Sequence, residues 1–201
     1  MTQDSEVQRN LSLCAIEYSF QQVLKTFGTK NFSKEVLEKT PMRMAKMYYD
    51  ELCAGLTTPQ PKITTFPSVS KNPVVMSDIK FSSLCAHHFL PFFGSCDFAY
   101  TPNKKIVGLS KIPRLLNWHA KRPTIQEELG EAFVAAFARE VKPIAVVCLI
   151  RAEHLCVSIR GAKSYAALTT TRHIYGPPHV TKALGEHLKD SMLLDKGNRI
   201  I

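Results

Sequence analysis

Val146-Val147-Cys148-Leu149-Ile150, running on through His154-Leu155-Cys156-Val157-Ser158-Ile159-Arg160, is a β-branched, apolar stretch into which polar residues enter toward the end. It reads as one long strand. Because side chains alternate across a strand, His154, Cys156, Ser158 and Arg160 are expected to share one face. That face would carry a soft metal ligand, a titratable imidazole and a fixed cation together.

Working outward, the matching half lies upstream. Cys85-Ala86-His87-His88 follows the strand-like Ile79-Lys80-Phe81-Ser82-Ser83-Leu84 and precedes Pro91, so a strand end or loop there can turn Cys85 and His88 inward. Either half alone reads as a buried cysteine or a satisfied histidine, since both are common in cores. Taken together they make a divided metal site. A structural zinc site closes with four protein ligands, whereas a catalytic one keeps three and leaves the fourth position to water. Cys85, His88 and Cys156 form such an open set, leaving His87 and His154 for proton transfer. The Cys-x-x-His spacing also differs from the paired Cys-x-x-Cys of zinc ribbons.

The flanking sequence organises itself around this core. Leu11 to Phe27 has a helical pattern that stops at Gly28, and Thr40 is an N-cap with Pro41 at the first position of a second helix ending near Gly55. Residues 1–58 are therefore a helical region, and Thr58-Pro59-Gln60-Pro61 is a linker to a second domain, 59–201. There, strand-like segments at about 73–82, 92–100 and 105–109 precede helices within 110–141. Strands, helices and strands in blocks favour an α+β fold over alternating βαβ units.

Composition narrows the class. The chain has 201 residues, 45% of them hydrophobic, enough for a sizeable core. No apolar run approaches a membrane span, and Met1 to Glu6 lacks the pattern of a signal peptide, which together predict a soluble, cytoplasmic protein. Of the six cysteines, Cys14, Cys53, Cys96 and Cys148 are expected to be reduced thiols. The net charge of +9 is scattered along the chain, with no arginine-rich arm or aromatic interleaving, which argues against nucleic acid and for a smaller anion. Lys111 and Arg114 lie three apart on a helix, and Arg160 follows the metal-site stretch. They offer a point charge and planar forks to phosphate oxygens, or, more plainly, a solvated face. Thr124-Ile125-Gln126-Glu127 likewise fits a capping box in which Glu127 satisfies backbone donors.

Five islands in order resemble the GTP cyclohydrolase I family: Thr40-Pro41-Met42-Arg43-Met44-Ala45-Lys46-Met47, Cys85-Ala86-His87-His88-Phe89, Gly108-Leu109-Ser110-Lys111-Ile112-Pro113-Arg114, Arg122-Pro123-Thr124-Ile125-Gln126-Glu127, and His154-Leu155-Cys156 with Arg160-Gly161. The resemblance implies the tunnelling fold, an antiparallel sheet with helices on one side whose copies close into a barrel. It further implies a homodecamer of two stacked pentamers with active sites between subunits. Zn2+ on Cys85, His88 and Cys156 is the implied cofactor and GTP the implied substrate. The implied reaction opens the guanine imidazole ring, releases formate and rearranges the ribose to give 7,8-dihydroneopterin triphosphate. His154 would be the acid at nitrogen 7, His87 a second proton-transfer group near the ribose, and Ser110 a participant in the rearrangement. Lys111, Arg114 and Arg160 would line the triphosphate site with Ser110, and Gln126 and Glu127 would read the guanine edge, a role that competes with the capping box. The product would stand upstream of tetrahydrofolate, biopterin-like cofactors or deazapurines, which diverge after this step.

Ala86 departs from the family pattern, which has Glu between the cysteine and the histidine pair in many members; residues 162–168 and 177–201 match only loosely. Arg43 and Lys46 fit either a neighbouring subunit's phosphate site or a charged helix surface. Two other readings stay open from sequence. One is a catalytically altered purine- or pterin-binding relative, which would bind GTP without releasing formate. The other is a nucleic-acid-binding protein with a structural zinc, which chelation would unfold.

Overall fold

The computed structural model describes residues 3–198, which divide into two compact units meeting at Thr58 and Pro59. In the first unit, α1 (Gln3–Thr26) is followed by a 3₁₀ turn (Thr29–Asn31), α2 (Lys34–Lys46), a π-helical stretch (Met47–Leu52) and the short α3 (Ala54–Thr57). Gly28 takes the left-handed φ of 86° that lets the chain reverse after α1. Arg9 on α1 grips Asp50 with a two-pronged ion pair at 2.5 and 2.9 Å, and Phe20 stacks on Tyr48 with centroids 5.6 Å apart.

The expected helix start at Thr40 is not where the helix begins. Ser33 caps α2 instead, its hydroxyl accepting from the Val36 amide at 3.3 Å, and Pro41 lies inside the helix with its ring buried. A hydroxyl cap with Glu35 in the first turn outweighs the Thr40-Pro41 signal, and Pro41 is accommodated because its ring fills apolar space.

The second unit is built on a five-stranded sheet in the order β5-β2-β3-β6-β7: β2 (Val74–Cys85), β3 (Pro91–Thr101), β5 (Pro123–Thr124), β6 (Ala145–His154) and β7 (Leu168–Tyr175). All pairings are antiparallel except the short β2–β5 contact, which is parallel. A two-stranded ribbon of β1 (Thr65–Pro67) and β4 (Lys105–Val107) stands apart. Three helices complete the unit: α4 (Lys111–Ala120), α5 (Gln126–Val141) and α7 (Pro178–Asn198), with a single turn α6 (Leu155–Ser158) after β6. The fold is α+β, with the sheet and the α4–α5 layer of the tunnelling fold.

Alternation decides what faces what. Phe92, Cys96, Phe98 and Tyr100 on β3, with Cys148, Ile150 and Ala152 on β6, pack against Ile112, Leu115 and Leu116 of α4 and Leu129, Phe133 and Phe137 of α5. Phe98 touches both Phe133 and Phe137, at centroid separations of 5.1 and 4.8 Å. The opposite residues, Ala99, Ala145 and Val147, meet Leu184 and Leu188 of α7, so a helix also covers part of the second face. A bulge between Met76 and Ile79 bends β2; Asp78 adopts a φ of 59° and its amide donates to Asp97 Oδ1 at 2.8 Å. The other oxygen of the buried Asp97 accepts from Arg151 at 2.6 Å, so this carboxylate is paired on both sides. Among the described residues, no helix is long and apolar enough to cross a membrane.

Candidate metal centre and active site

Cys85 is the last residue of β2, and the chain after it folds into a tight turn. The amides of His88 and Phe89 both donate to the Cys85 carbonyl, at 3.3 and 2.8 Å, while the Cys85 amide donates to Leu90 O at 2.9 Å. Phe89 completes the reversal with a left-handed φ of 52°. A Cys-x-x-His on such a turn brings both side chains to one side, and Cys85 Sγ sits 3.6 Å from His88 Nδ1.

Cys156 arrives by a route the alternation pattern does not foresee. The strand expected to continue to Arg160 ends at His154, and Leu155–Ser158 is a helical turn. Its partner strand runs out: His154 pairs with Phe92, next to Pro91 at the start of β3, and beyond that no ladder remains. Glu153 fixes the turn by accepting from Ser158 Oγ at 2.7 Å and from the Ala166 amide at 3.3 Å. His154, Cys156, Ser158 and Arg160 therefore do not share a strand face; Ser158 is buried against Glu153, and Arg160 is exposed.

The turn delivers Cys156 to the other two ligands. Cys85, His88 and Cys156 offer ligand atoms all within 4.8 Å of one another, a possible metal site with burial decreasing outward from Cys85. Burial, together with the neighbouring Cys85 thiol, pushes the Cys156 thiol up, while the positive charge of Arg160 opposes the shift. Two thiols and one imidazole are a donor set that suits a soft or borderline transition metal such as zinc.

His154 stands beside this trio, held on two sides. The Phe92 ring lies parallel to its imidazole, and Gln126 Oε1 is 2.9 Å from its Nε2. Burial lowers its pKa, and the negative charge of Glu127 opposes that shift. Gln126 is itself buried, its Nε2 reaching Ile150 O, Thr169 O and Thr171 Oγ1 at 3.1, 3.2 and 3.1 Å.

The expected capping box is absent: Ile125 occupies the N-cap position of α5, and the Thr124 hydroxyl donates to the Ile125 carbonyl at 3.2 Å. The alternative that competed with guanine reading at Glu127 is thereby removed. Glu127 is exposed and opens onto a groove of about 460 Å³ shared with Glu131, Val134, Arg172 and His173.

The remaining expected residues are at the surface. His87 is exposed on the β2 turn, edge-on to His88 at 6.3 Å. Ser110 is exposed at the start of α4 and makes no side-chain cap bond; Lys111 is half-buried and Arg114 exposed. Among the described residues, Lys111, Arg114 and Arg160 enter no ion pair, so their charges are not neutralised within the chain. Arg43, by contrast, is paired with Glu35 at 2.8 Å.

A family model described as GTP cyclohydrolase I matches residues 16–192. This chain belongs to the GTP cyclohydrolase I family. It is 43% identical to GTP cyclohydrolase 1 of Campylobacter jejuni subsp. jejuni serotype O:6, over 77% of this chain and 82% of that one. It is 38% identical to GTP cyclohydrolase 1 of Desulforamulus reducens, over 80% and 87%, and 38% identical to that of Streptococcus sanguinis, over 78% and 85%. The metal trio and His154 all fall within the matched region, so the centre described above belongs to the part of the chain that defines the family.

Phe92, Glu153, Thr171 and His173 contribute to the site but carry no motif. Phe92 and Glu153 are adjacent to recognised residues only across the β3–β6 ladder or one step along the chain, and sequence offers no signal for a partner on another strand.

Proposed function

We propose that this protein is a zinc-dependent GTP cyclohydrolase I. It would hydrolytically open the imidazole ring of GTP, release carbon 8 as formate and yield 7,8-dihydroneopterin triphosphate. The observation that carries the reading is the convergence of Cys85, His88 and Cys156 within 4.8 Å, next to a histidine clamped by Phe92 and Gln126.

Cys85, His88 and Cys156 would hold the zinc. When bound, it would supply Lewis acidity and make water available as a nucleophile near neutral pH. The chain's own residues do the rest. His154 is placed to donate a proton to nitrogen 7, which makes carbon 8 a better electrophile. Its orientation is set before substrate arrives, which limits the entropic cost of reaching the reactive geometry. His87, exposed on the same turn as His88, is free to exchange a proton near the ribose.

Glu127 is the recognition group for the base. A carboxylate accepts from both the ring N–H and the exocyclic amine of guanine, a pattern adenine lacks. Gln126 completes the guanine end of the site through its neighbours, as its own amide is occupied by His154 and the strand carbonyls. Ser110, Lys111, Arg114 and Arg160 form the triphosphate side, where unpaired cations meet phosphate oxygens.

An oligomer follows from the sheet. Among the described residues, β7 presents an eight-residue edge with no further strand beside it, and most of β2 is without a strand partner on its outer side apart from the contact at Leu84 and Cys85. Edges of that length invite pairing with another copy, and closing them between subunits removes the liability. A decamer of two pentamers is the assembly that the family suggests. The protein would act in the cytoplasm, where reducing conditions keep the ligand thiols free.

The test is incubation of purified, zinc-analysed protein with GTP, with formate and pterin fluorescence as readouts. Stoichiometric formate is the expected result; GTP bound without formate would sink the reading in favour of a catalytically altered relative.

A further inference from the structure

We propose that Thr171 and His173, on the outermost strand of the sheet, are positioning residues that fix the ring of His154 through Gln126. The inference rests on the reading of His154 as the group that carries the proton to the base.

The argument begins with the Gln126 amide. Its nitrogen is surrounded by oxygens, with Ile150 O at 3.1 Å, Thr169 O at 3.2 Å and Thr171 Oγ1 at 3.1 Å. Two of these are backbone carbonyls that can only accept, so inverting the amide would press its oxygen against them. The amide therefore has one workable orientation, with Oε1 directed at His154 Nε2 at 2.9 Å. An oxygen with no hydrogen to give makes that nitrogen the donor. His154 Nε2 is thus tethered to the Gln126 amide oxygen, and the ring is held from that side.

With its orientation fixed by the carbonyls, the amide is kept from shifting by the next pair of residues. Thr171 Oγ1 accepts from Gln126 and also lies 3.0 Å from His173 Nε2, so one hydroxyl joins the amide to the imidazole. Thr169, Thr171 and His173 occupy alternate positions on β7 and so face α5 together. His173 is half-buried, and burial lowers its pKa, with Glu131 and Glu127 opposing.

The seat for His173 is a glycine. A Cβ at Gly130 of α5 would overlap the His173 ring, at its Cδ2 and Nε2 atoms. The ring lies over bare helix backbone at the one position where a side chain would push it off Thr171. Gly130, His173, Thr171, Gln126 and His154 thus form a continuous series from the helix surface to the side of the metal trio, in which each member limits the freedom of the next.

The proposal is tested with the zinc-loaded full chain, measuring kcat and KM for GTP by formate release together with zinc content and thermal midpoint. Thr171→Val keeps the shape and removes the hydroxyl; it is expected to lower kcat by about tenfold or more with KM within about twofold, as small misplacements of a reacting group do. Thr171→Ser keeps the hydroxyl and removes the methyl, and should stay near wild type. His173→Leu and Gly130→Ala should reproduce the Thr171→Val defect, the latter without altering any hydrogen-bonding atom of the series. The reverse order, with Val tolerated and Ser impaired, would mean that Thr171 only packs, and would overturn the proposal; so would kcat within twofold of wild type in all four variants. A second readout separates this inference from the assignment of function. In a crystal structure of Thr171→Val, the His154 ring should be displaced from its wild-type position or split between two conformers. A displaced ring in a protein whose wild type releases no formate refutes the function but supports the positioning series. An unmoved His154 ring in Thr171→Val overturns the series whatever the activity.

Discussion

The imidazole of His154 and the ring of Phe92 lie face to face, with centroids 4.6 Å apart and planes only 3° from parallel. The two residues are directly paired across β3 and β6, so the stack is a product of register. Phe92 is fully buried, which makes it a wall and not a mobile neighbour. Phe92→Leu keeps an apolar residue but gives up the flat contact. Its expected effect is a fall in kcat of about tenfold with zinc retained, since a reacting group is loosened. The stability cost should be roughly 1–2 kcal/mol from imperfect repacking. Formate kinetics and a thermal melt check both; unchanged kcat in a folded protein would remove Phe92 from the site.

Glu127 separates recognition from stability. It is exposed, lies in the first turn of α5, and is not part of a capping box. Glu127→Ala should therefore leave the thermal midpoint within a degree or two. Losing hydrogen bonds to a charged acceptor costs about 1.5–3 kcal/mol, so GTP binding should weaken by roughly 10- to 100-fold. Calorimetric titration with a non-hydrolysed guanine nucleotide measures it, and an equal loss for an adenine nucleotide would show that base reading is not the role.

How much of this was legible follows from which residues act locally. Cys85 and His88 are three apart on one turn, so their spacing alone announces a shared ligand side. The strand–helix–strand blocks, and therefore the α+β class, follow from hydrophobic period. The turn at Leu155 does not, because Val157 and Ile159 keep up a strand-like pattern past the point where β3 stops supplying partners. The helix start at Ser33 was likewise obscured by a second good signal at Thr40-Pro41. Contacts that depend on register, such as Phe92 on His154 or His173 over Gly130, exist only once strands and helices are assembled. No residue type in the sequence marks them.

Metal removal should uncouple activity from folding. His88 is exposed; Cys85 belongs to the core and Cys156 packs against its edge, but most of that core comes from apolar residues such as Phe98, which touches both Phe133 and Phe137. A chelator is thus expected to abolish formate release while leaving the far-ultraviolet circular dichroism unchanged, unlike a zinc finger, where metal binding supplies the folding energy. Cys156→Ala should reduce the zinc content to a small fraction of the wild-type value while preserving the same spectrum. Cooperative unfolding on chelation would instead assign the metal a structural role.

His119 gives a pH dependence independent of the metal. It is buried at the end of α4, its Nε2 has no hydrogen-bond partner among the described residues, and its ring meets Trp118 edge-on at 4.9 Å. Burial, reinforced by the positive charges of Arg122 and Arg139, lowers its pKa from 6.5 to about 4. The unfolded chain, titrating near 6.5, binds the proton more readily than the folded one, so stability rises with pH across this window. The protonation of His119 therefore costs the fold nothing above about pH 6.5. Between there and about pH 4 it withdraws up to roughly 3 kcal/mol, at about 1.36 kcal/mol per unit. His119→Leu removes the titrating group and leaves no orphaned nitrogen. Denaturant melts of wild type and variant at equal zinc should diverge as pH falls from 6.5 to 4, with wild type losing stability faster; parallel curves would mean that the folded protein protonates His119 as easily as the unfolded chain does.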